Sequence, residues 1–297
     1  MKRTILFRGT GTAIVTPFTE TGDVDIRSLK KLVDRQVTGG VEAIIPVGTT
    51  GESVTLSESE QLQVVSCVAE RAQGKVKVIA GAGSNATSKS ITLARWVIAE
   101  GADAILSVTP YYNKPTQEGL YQHYAAIASA VDAPIILYNV PGRTACTMEV
   151  PTMLRLAEEF PHIAGVKEAS GNLTNIMEIL RRRPKGFGVW SGDDALTLPL
   201  MALGADGVIS VVSNEVPKQF SKMVRLCLQG HFSEALKIHN ALLNLMQFNF
   251  VESSPIPVKA VLAAMGLIGE YYRLPLVRMS EKHKSTMKNI LKELQLK

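Results

Sequence analysis

Gly40-Val41-Glu42-Ala43-Ile44-Ile45, Gly101-Ala102-Asp103-Ala104-Ile105-Leu106 and Gly204-Ala205-Asp206-Gly207-Val208-Ile209 follow one grammar. In each, a glycine ends a helical stretch, a short apolar residue and an acid make the turn, and a small residue opens an apolar strand. Helix-ending glycines are common, so one copy decides nothing; three copies in one chain suggest one αβ turn repeated around one sheet. Working outward, the apolar runs Gly11–Val15, Ala43–Val47, Val76–Ala80, Ala104–Val108, Ile135–Tyr138, Ala164–Lys167, Phe187–Trp190 and Gly207–Val211 read as eight strands. Most are continuously apolar rather than alternating, as in strands buried on both faces of a parallel sheet. Amphipathic stretches such as Ile26–Val37 and Glu58–Arg71 supply the crossover helices. The expected fold is therefore a (β/α)8 TIM barrel, with the three quoted stretches leading into strands two, four and eight.

The barrel would occupy residues 1–229. After Gln229 the strand pattern stops, and 230–297 reads as a C-terminal helical appendix: His231–Phe248, Pro257–Met265 and Glu281–Leu296. In the last of these, Met287, Ile290, Leu291 and Leu294 form an apolar stripe beside Lys284, Lys288 and Lys292. Of the 297 residues 46% are hydrophobic and 20% charged, which excludes wholesale disorder.

The net charge of +5 invites a nucleic-acid reading, but its location argues against one. The last twenty residues hold six Lys and Arg against Glu281 and Glu293, which leaves the other 277 residues at +1. A solvated lysine face explains the excess without nucleic acid or membrane. Cys67, Cys146 and Cys227 are too few and too scattered for a disulfide framework, and suit a reducing cytosol. The five histidines are dispersed, so no metal site is expected. No run approaches the about 18 apolar residues of a membrane span, and the first eight residues lack the apolar core of a signal peptide.

Barrels of this kind carry their active site at the C-terminal ends of the strands. Strand two ends Gly48-Thr49-Thr50-Gly51-Glu52-Ser53, whose amides and two hydroxyls suit a carboxylate, although a plain glycine-rich turn looks the same. Strand six ends on Lys167. A lysine facing a packed barrel mouth is partly desolvated, which favours the neutral amine that imine formation needs; the alternative is a lysine snorkelling to water. Strand five ends on Tyr138, a possible proton relay or an aromatic plug, with Arg143 on the following loop, a carboxylate clamp or a surface ion pair. Strand four ends Thr109-Pro110-Tyr111-Tyr112-Asn113-Lys114-Pro115, a stiff tip suited to an interface or to catalysis. Strand seven ends Ser191-Gly192-Asp193-Asp194, where the acids disfavour a phosphate and read as caps of the next helix.

As an ordered set, Gly48–Ser53, Thr109–Pro115, Tyr138–Thr144, Gly165–Gly171, Ser191–Asp194 and Pro255–Lys259 resemble the pyruvate-dependent class I aldolase superfamily, and within it the dihydrodipicolinate synthase family. The resemblance runs along nearly the whole chain. It implies that Lys167 forms an imine with pyruvate, whose enamine adds to L-aspartate 4-semialdehyde. It further implies that Thr49 links Tyr138 to Tyr112 of a neighbouring subunit, and that the Thr49–Thr50 loop holds the pyruvate carboxylate. Arg143 would hold the carboxylate of the semialdehyde, and the carbonyls of Gly192 and Ile209 would border the site. No metal or organic cofactor is implied, and the expected assembly is a homotetramer, a dimer of dimers, in the cytoplasm.

The sister sugar-acid lyases, such as N-acetylneuraminate lyase, share the lysine, the tyrosine and the barrel. Thr49-Thr50, where that branch usually has Ser-Thr, and Arg143 argue against them. A non-catalytic barrel that senses 2-oxo acids is a further alternative, which complete retention of the relay residues disfavours. One departure concerns regulation. Ser53, Asn85 and Tyr111 match the interface pocket of lysine-inhibited members, but Lys89 stands in place of an acid, and Glu58 and Gln61 in place of histidines. An ammonium there repels the amino group of L-lysine, so weak or absent feedback inhibition is expected. Ser254, where the family often has Asn, is a smaller departure.

Overall fold

The computed structural model describes residues 3–296. Eight parallel strands close into a barrel in chain order: β1 (Gly9–Ala13), β2 (Ala43–Ile45), β3 (Lys77–Gly81), β4 (Ala104–Val108), β5 (Ile135–Asn139), β6 (Ile163–Glu168), β7 (Gly188–Ser191) and β8 (Gly207–Ser210), with β8 pairing back onto β1. Around them run α1 (Ile26–Gly39), α2 (Glu58–Ala72), α3 (Thr87–Ala99), α4 (Gln117–Ala130), the short α5 (Pro141–Thr144), α6 (Val150–Glu159), α7 (Leu173–Arg182), α8 (Thr197–Ala202) and α9 (Pro217–Leu228). Three helices follow the barrel: α10 (Phe232–Phe248), α11 (Ile256–Ala264) and α12 (Glu281–Glu293). The eight strands and the helical appendix are those read from the sequence, with strand ends displaced by at most two residues and helix ends by at most three.

The repeated turns are built as their sequences dictate. Gly40, Gly101 and Gly204 sit at φ +77°, +98° and +99°, the left-handed region that glycine enters at little cost and that stops a helix. The acid two residues on does more than turn the chain. Glu42 accepts a hydrogen bond from the Thr10 amide at 2.6 Å, Asp103 from Val78 at 2.8 Å and Asp206 from Val189 at 3.1 Å. Each donor is the second residue of the strand before the acid's own in the barrel, so each repeat anchors its neighbour at the barrel's N-terminal end. Arg225, Lys77 and Arg183 pair with these three acids.

One apolar layer packs α1–α4, α6 and part of α7 and α11 onto the barrel; a second joins β8 and α7–α9 to α10–α12. Met287, Ile290 and Leu291 of α12 are buried in that second layer, as the apolar stripe requires. The turn at residue 229 thus separates helices that share one core. A third, smaller cluster fills the barrel itself, with Ala13, Ile45, Leu106, Tyr138, Trp190 and Ile209 pointing inward. Trp190 plugs it from below, stacked on Phe7 at 4.9 Å with its indole N–H donating to the Phe7 carbonyl at 3.3 Å. Gly165 and Gly188 make room for that ring: a Cβ on either would stand 2.6 or 2.2 Å from it.

Candidate active site

β6 carries Lys167 inward into the barrel mouth. Tyr138 on β5 and Trp190 on β7 are its register partners, so all three occupy one level of the barrel. Lys167 is 5% exposed, and its Nζ lies 4.2 Å from the centroid of the Tyr138 ring. Neither the Lys167 ammonium nor the Tyr138 hydroxyl makes a hydrogen bond among the described residues. The next side chain, Glu168, points the other way. It accepts from the Asn139 side chain at 2.9 Å and from the Ser170 amide at 2.7 Å, which ties the ends of β5 and β6 together beneath the lysine.

Lys167 and Tyr138 line a cavity of about 390 Å³ together with Thr49, Thr50, Arg143, Thr144 and Val140. The Gly48–Ser53 loop offers less to an anion than its sequence suggested. The amides of Gly51, Glu52 and Ser53 are spent on turn hydrogen bonds to Gly48 and Thr49 carbonyls. The Thr49 and Thr50 amides are unbonded among the described residues, and with the two hydroxyls they are the donors this loop leaves available. Arg143 rides on α5, directly after β5, and one guanidinium nitrogen donates to the Ser254 carbonyl at 3.3 Å. The other candidates fall less neatly. Gly192 and Ile209 do not line the cavity. Gly192 adjoins the lysine stem, where a Cβ would stand 3.2 Å from Lys167 Cε, and Ile209 is buried inside the barrel.

Tyr112 does not join the cavity of its own chain. It is 89% exposed, at φ +73°, and no hydrogen bond links it to Thr49 or Thr49 to Tyr138 among the described residues. Ser53, Lys89, Tyr111 and Gln61 line the same cavity, whereas Asn85 and Glu58 do not. Gln61 braces the loop, donating to the Ser53 and Leu56 carbonyls at 3.0 and 3.3 Å. Of the two acids after β7, Asp193 does receive the Ala195 and Leu196 amides that lead into α8. Asp194 does not cap that helix. It turns inward to accept the Val211 and Val212 amides after β8 at 3.0 and 2.8 Å, and burial pushes its carboxyl up to about 6.

Residues 6–294 match the model of the dihydrodipicolinate synthetase family. The chain belongs to this family. It is 52% identical over 288 residues to the 4-hydroxy-tetrahydrodipicolinate synthase of Chloroherpeton thalassium, covering 97% of this chain and 95% of that one. The enzyme of the same name from Koribacter versatilis is 51% identical over 96% of this chain and 95% of its own. The crystal structure of dihydrodipicolinate synthase from Thermotoga maritima superposes with a TM-score of 0.96 at 45% identity, over 98% of this chain and all of that one. Membership of the dihydrodipicolinate synthetase family agrees with a lysine at the mouth of a parallel barrel beside a tyrosine.

One feature of the rim was missed. Lys259, on α11, reaches Glu52 of the strand-two loop at 2.5 Å, with both side chains essentially without solvent contact. A signal existed: Lys259 is the one charged residue in Ile-Pro-Val-Lys-Ala-Val-Leu-Ala-Ala, and a lysine in so apolar a helix requires an acidic partner. Among the described residues no three His, Cys, Asp or Glu side chains are grouped to hold a metal ion, and no helix is long and apolar enough to cross a membrane.

Proposed function

We propose that the chain condenses pyruvate with L-aspartate 4-semialdehyde to 4-hydroxy-tetrahydrodipicolinate, the step that commits carbon to diaminopimelate and L-lysine, through an imine on Lys167. The observation that carries this reading is a buried lysine amine, without a hydrogen bond among the described residues, that lines a 390 Å³ cavity against the Tyr138 ring together with Thr49, Thr50 and Arg143. The neutral Lys167 amine adds to the pyruvate C2 carbonyl and water leaves, giving a protonated imine. That cation acts as electron sink when a C3 proton is removed, and the resulting enamine attacks the aldehyde carbon. The amino group of the semialdehyde then adds to C2, closing the ring and returning Lys167 as a free amine. Each stage moves a proton near C2 or the aldehyde oxygen, the role assigned to the Tyr138 hydroxyl. Thr49 and Thr50 take the pyruvate carboxylate and Arg143 that of the semialdehyde, while Gly192 adjoins the stem of Lys167.

In this reading Tyr112 completes the relay in a second subunit. Its exposure and its position on a loop tip between prolines fit a side chain that works outside its own barrel. At least a dimer is then needed for full activity, and a tetramer is the assembly proposed. Three buried, unpaired cysteines fit a cytoplasmic setting. Steady-state assay of pyruvate with the semialdehyde, run beside cleavage of N-acetylneuraminate, tests the substrate assignment. Condensation without sialate cleavage is expected; cleavage without condensation overturns it.

A further inference from the structure

The Thr49–Thr50 edge belongs to a loop without regular structure, and its shape has to be imposed from outside. Glu52 sits at φ +53°, a left-handed conformation that a non-glycine residue keeps only where its surroundings hold it. Two contacts do so. Thr16 Oγ1 donates to the Gly51 carbonyl at 2.7 Å, and Lys259 Nζ meets Glu52 Oε1 at 2.5 Å. The ammonium also lies over the Phe18 and Tyr272 rings, at 4.3 and 4.9 Å from their centroids. Lys259 does not line the cavity, so it has no direct access to substrate.

Burial opposes charge on both partners, drawing Glu52 up and Lys259 down from their ordinary values, while each partner counters this in the other. A fully buried ion pair is a poor way to gain stability, since an apolar pair of similar volume commonly serves as well. What it does supply is one fixed geometry. Among the described residues Glu52 Oε2 is buried without a hydrogen bond, and the one side chain bonded to the carboxylate is Lys259. The segment bearing Lys259 also touches the other anion-binding element, through the Ser254 carbonyl and Arg143.

We infer that Lys259 and Glu52 are positioning residues that fix the two free amides and hydroxyls of Thr49 and Thr50 for the pyruvate carboxylate, so that a side chain outside the cavity sets pyruvate affinity. This rests on the proposed pyruvate chemistry. The loop faces pyruvate and not the semialdehyde, whose carboxylate goes to Arg143, so disturbing the pair separates the two substrates' constants.

The test compares wild type with Glu52→Gln, Lys259→Met and the double variant, which removes both charges without leaving either one unpaired. Expected for the double variant is a thermal midpoint close to wild type, a pyruvate KM raised about tenfold or more, and a semialdehyde KM within about twofold. The pyruvate concentration giving half-maximal borohydride trapping at Lys167 should rise with the pyruvate KM. A double variant with wild-type pyruvate KM and trapping overturns the inference. So does one that regains wild-type pyruvate KM after the single variants lost both stability and activity, because the pair then only balances charge. If the double variant does not fold, the isosteric Glu52→Gln decides by the same two constants. Failure of wild type to trap pyruvate at Lys167 would instead overturn the function on which the inference rests.

Discussion

Replacing Gly192 by alanine perturbs Lys167 from the side, without touching a titratable group. The new methyl would stand 2.6 Å from Ala169 Cβ, 3.2 Å from the Glu168 carbonyl oxygen and 3.2 Å from Lys167 Cε. Carbon atoms rest about 3.5–4.0 Å apart, so the contact with Ala169 is short by roughly 1 Å. Ala169 has no flexible end to swing away, and the Gly192 amide is tied to the Glu168 carbonyl at 2.7 Å. The strain therefore passes into the backbone that carries Lys167. Overpacking of this kind costs about 1–3 kcal/mol, which for a chain of this length lowers the thermal midpoint by roughly 2–6 °C. A displacement of about 1 Å at a reacting group costs up to about 100-fold in rate, and Lys167 Cε needs to move less than that, so kcat should fall about 10- to 100-fold. Thermal melts by circular dichroism and steady-state kinetics measure the two effects together. A Gly192→Ala protein with wild-type kcat, whatever its melting temperature, would refute the placement of Gly192 against the lysine.

The remaining predictions concern pH, assembly and regulation. Burial raises Asp194 to about 6, above its unfolded value of 3.8, so it favours folding below pH 4 and loses that contribution as pH rises through 6. Asp194→Asn should therefore gain roughly 2 kcal/mol over wild type between urea melts at pH 4 and pH 7, and an unchanged difference would contradict it. His123, lowered to about 4 by burial, has the opposite sign. Its contribution is present above pH 6.5 and lost as pH falls toward 4, so His123→Gln should flatten the acid side of the stability profile. Tyr112→Phe should lower kcat about 100-fold while leaving pyruvate trapping at Lys167 intact, and dilution to monomers should do the same. Millimolar L-lysine should leave activity nearly unchanged, and Lys89→Glu should introduce inhibition; strong inhibition of wild type would contradict the charge argument at that position.

What could be read in advance follows the range of the interactions. The turns at Gly40, Gly101 and Gly204 are local, so their glycines announced both the helix ends and the strands behind them. Lys167 was legible because strand order alone puts the last residues of every barrel strand on one rim. The partners of Glu42, Asp103 and Asp206 were not legible, since each acid bonds across to a neighbouring strand whose register only the closed barrel sets. The strand-two loop read as a nest of free amides because composition cannot tell which N–H groups a turn consumes. Asp194 read as a helix cap for the same reason: its true partners lie on β8's exit, beyond a helix and a turn. The Lys259–Glu52 contact spans 207 residues of sequence, and only the lone charge in an apolar helix hinted at it.

The central claim is that Lys167 is the residue to which pyruvate becomes bound. Incubating the protein with pyruvate and borohydride, followed by peptide mass spectrometry, should find a three-carbon reduced adduct on Lys167 and none on Lys89 or Lys259. An unmodified Lys167, or an adduct carried by another lysine, would contradict the account.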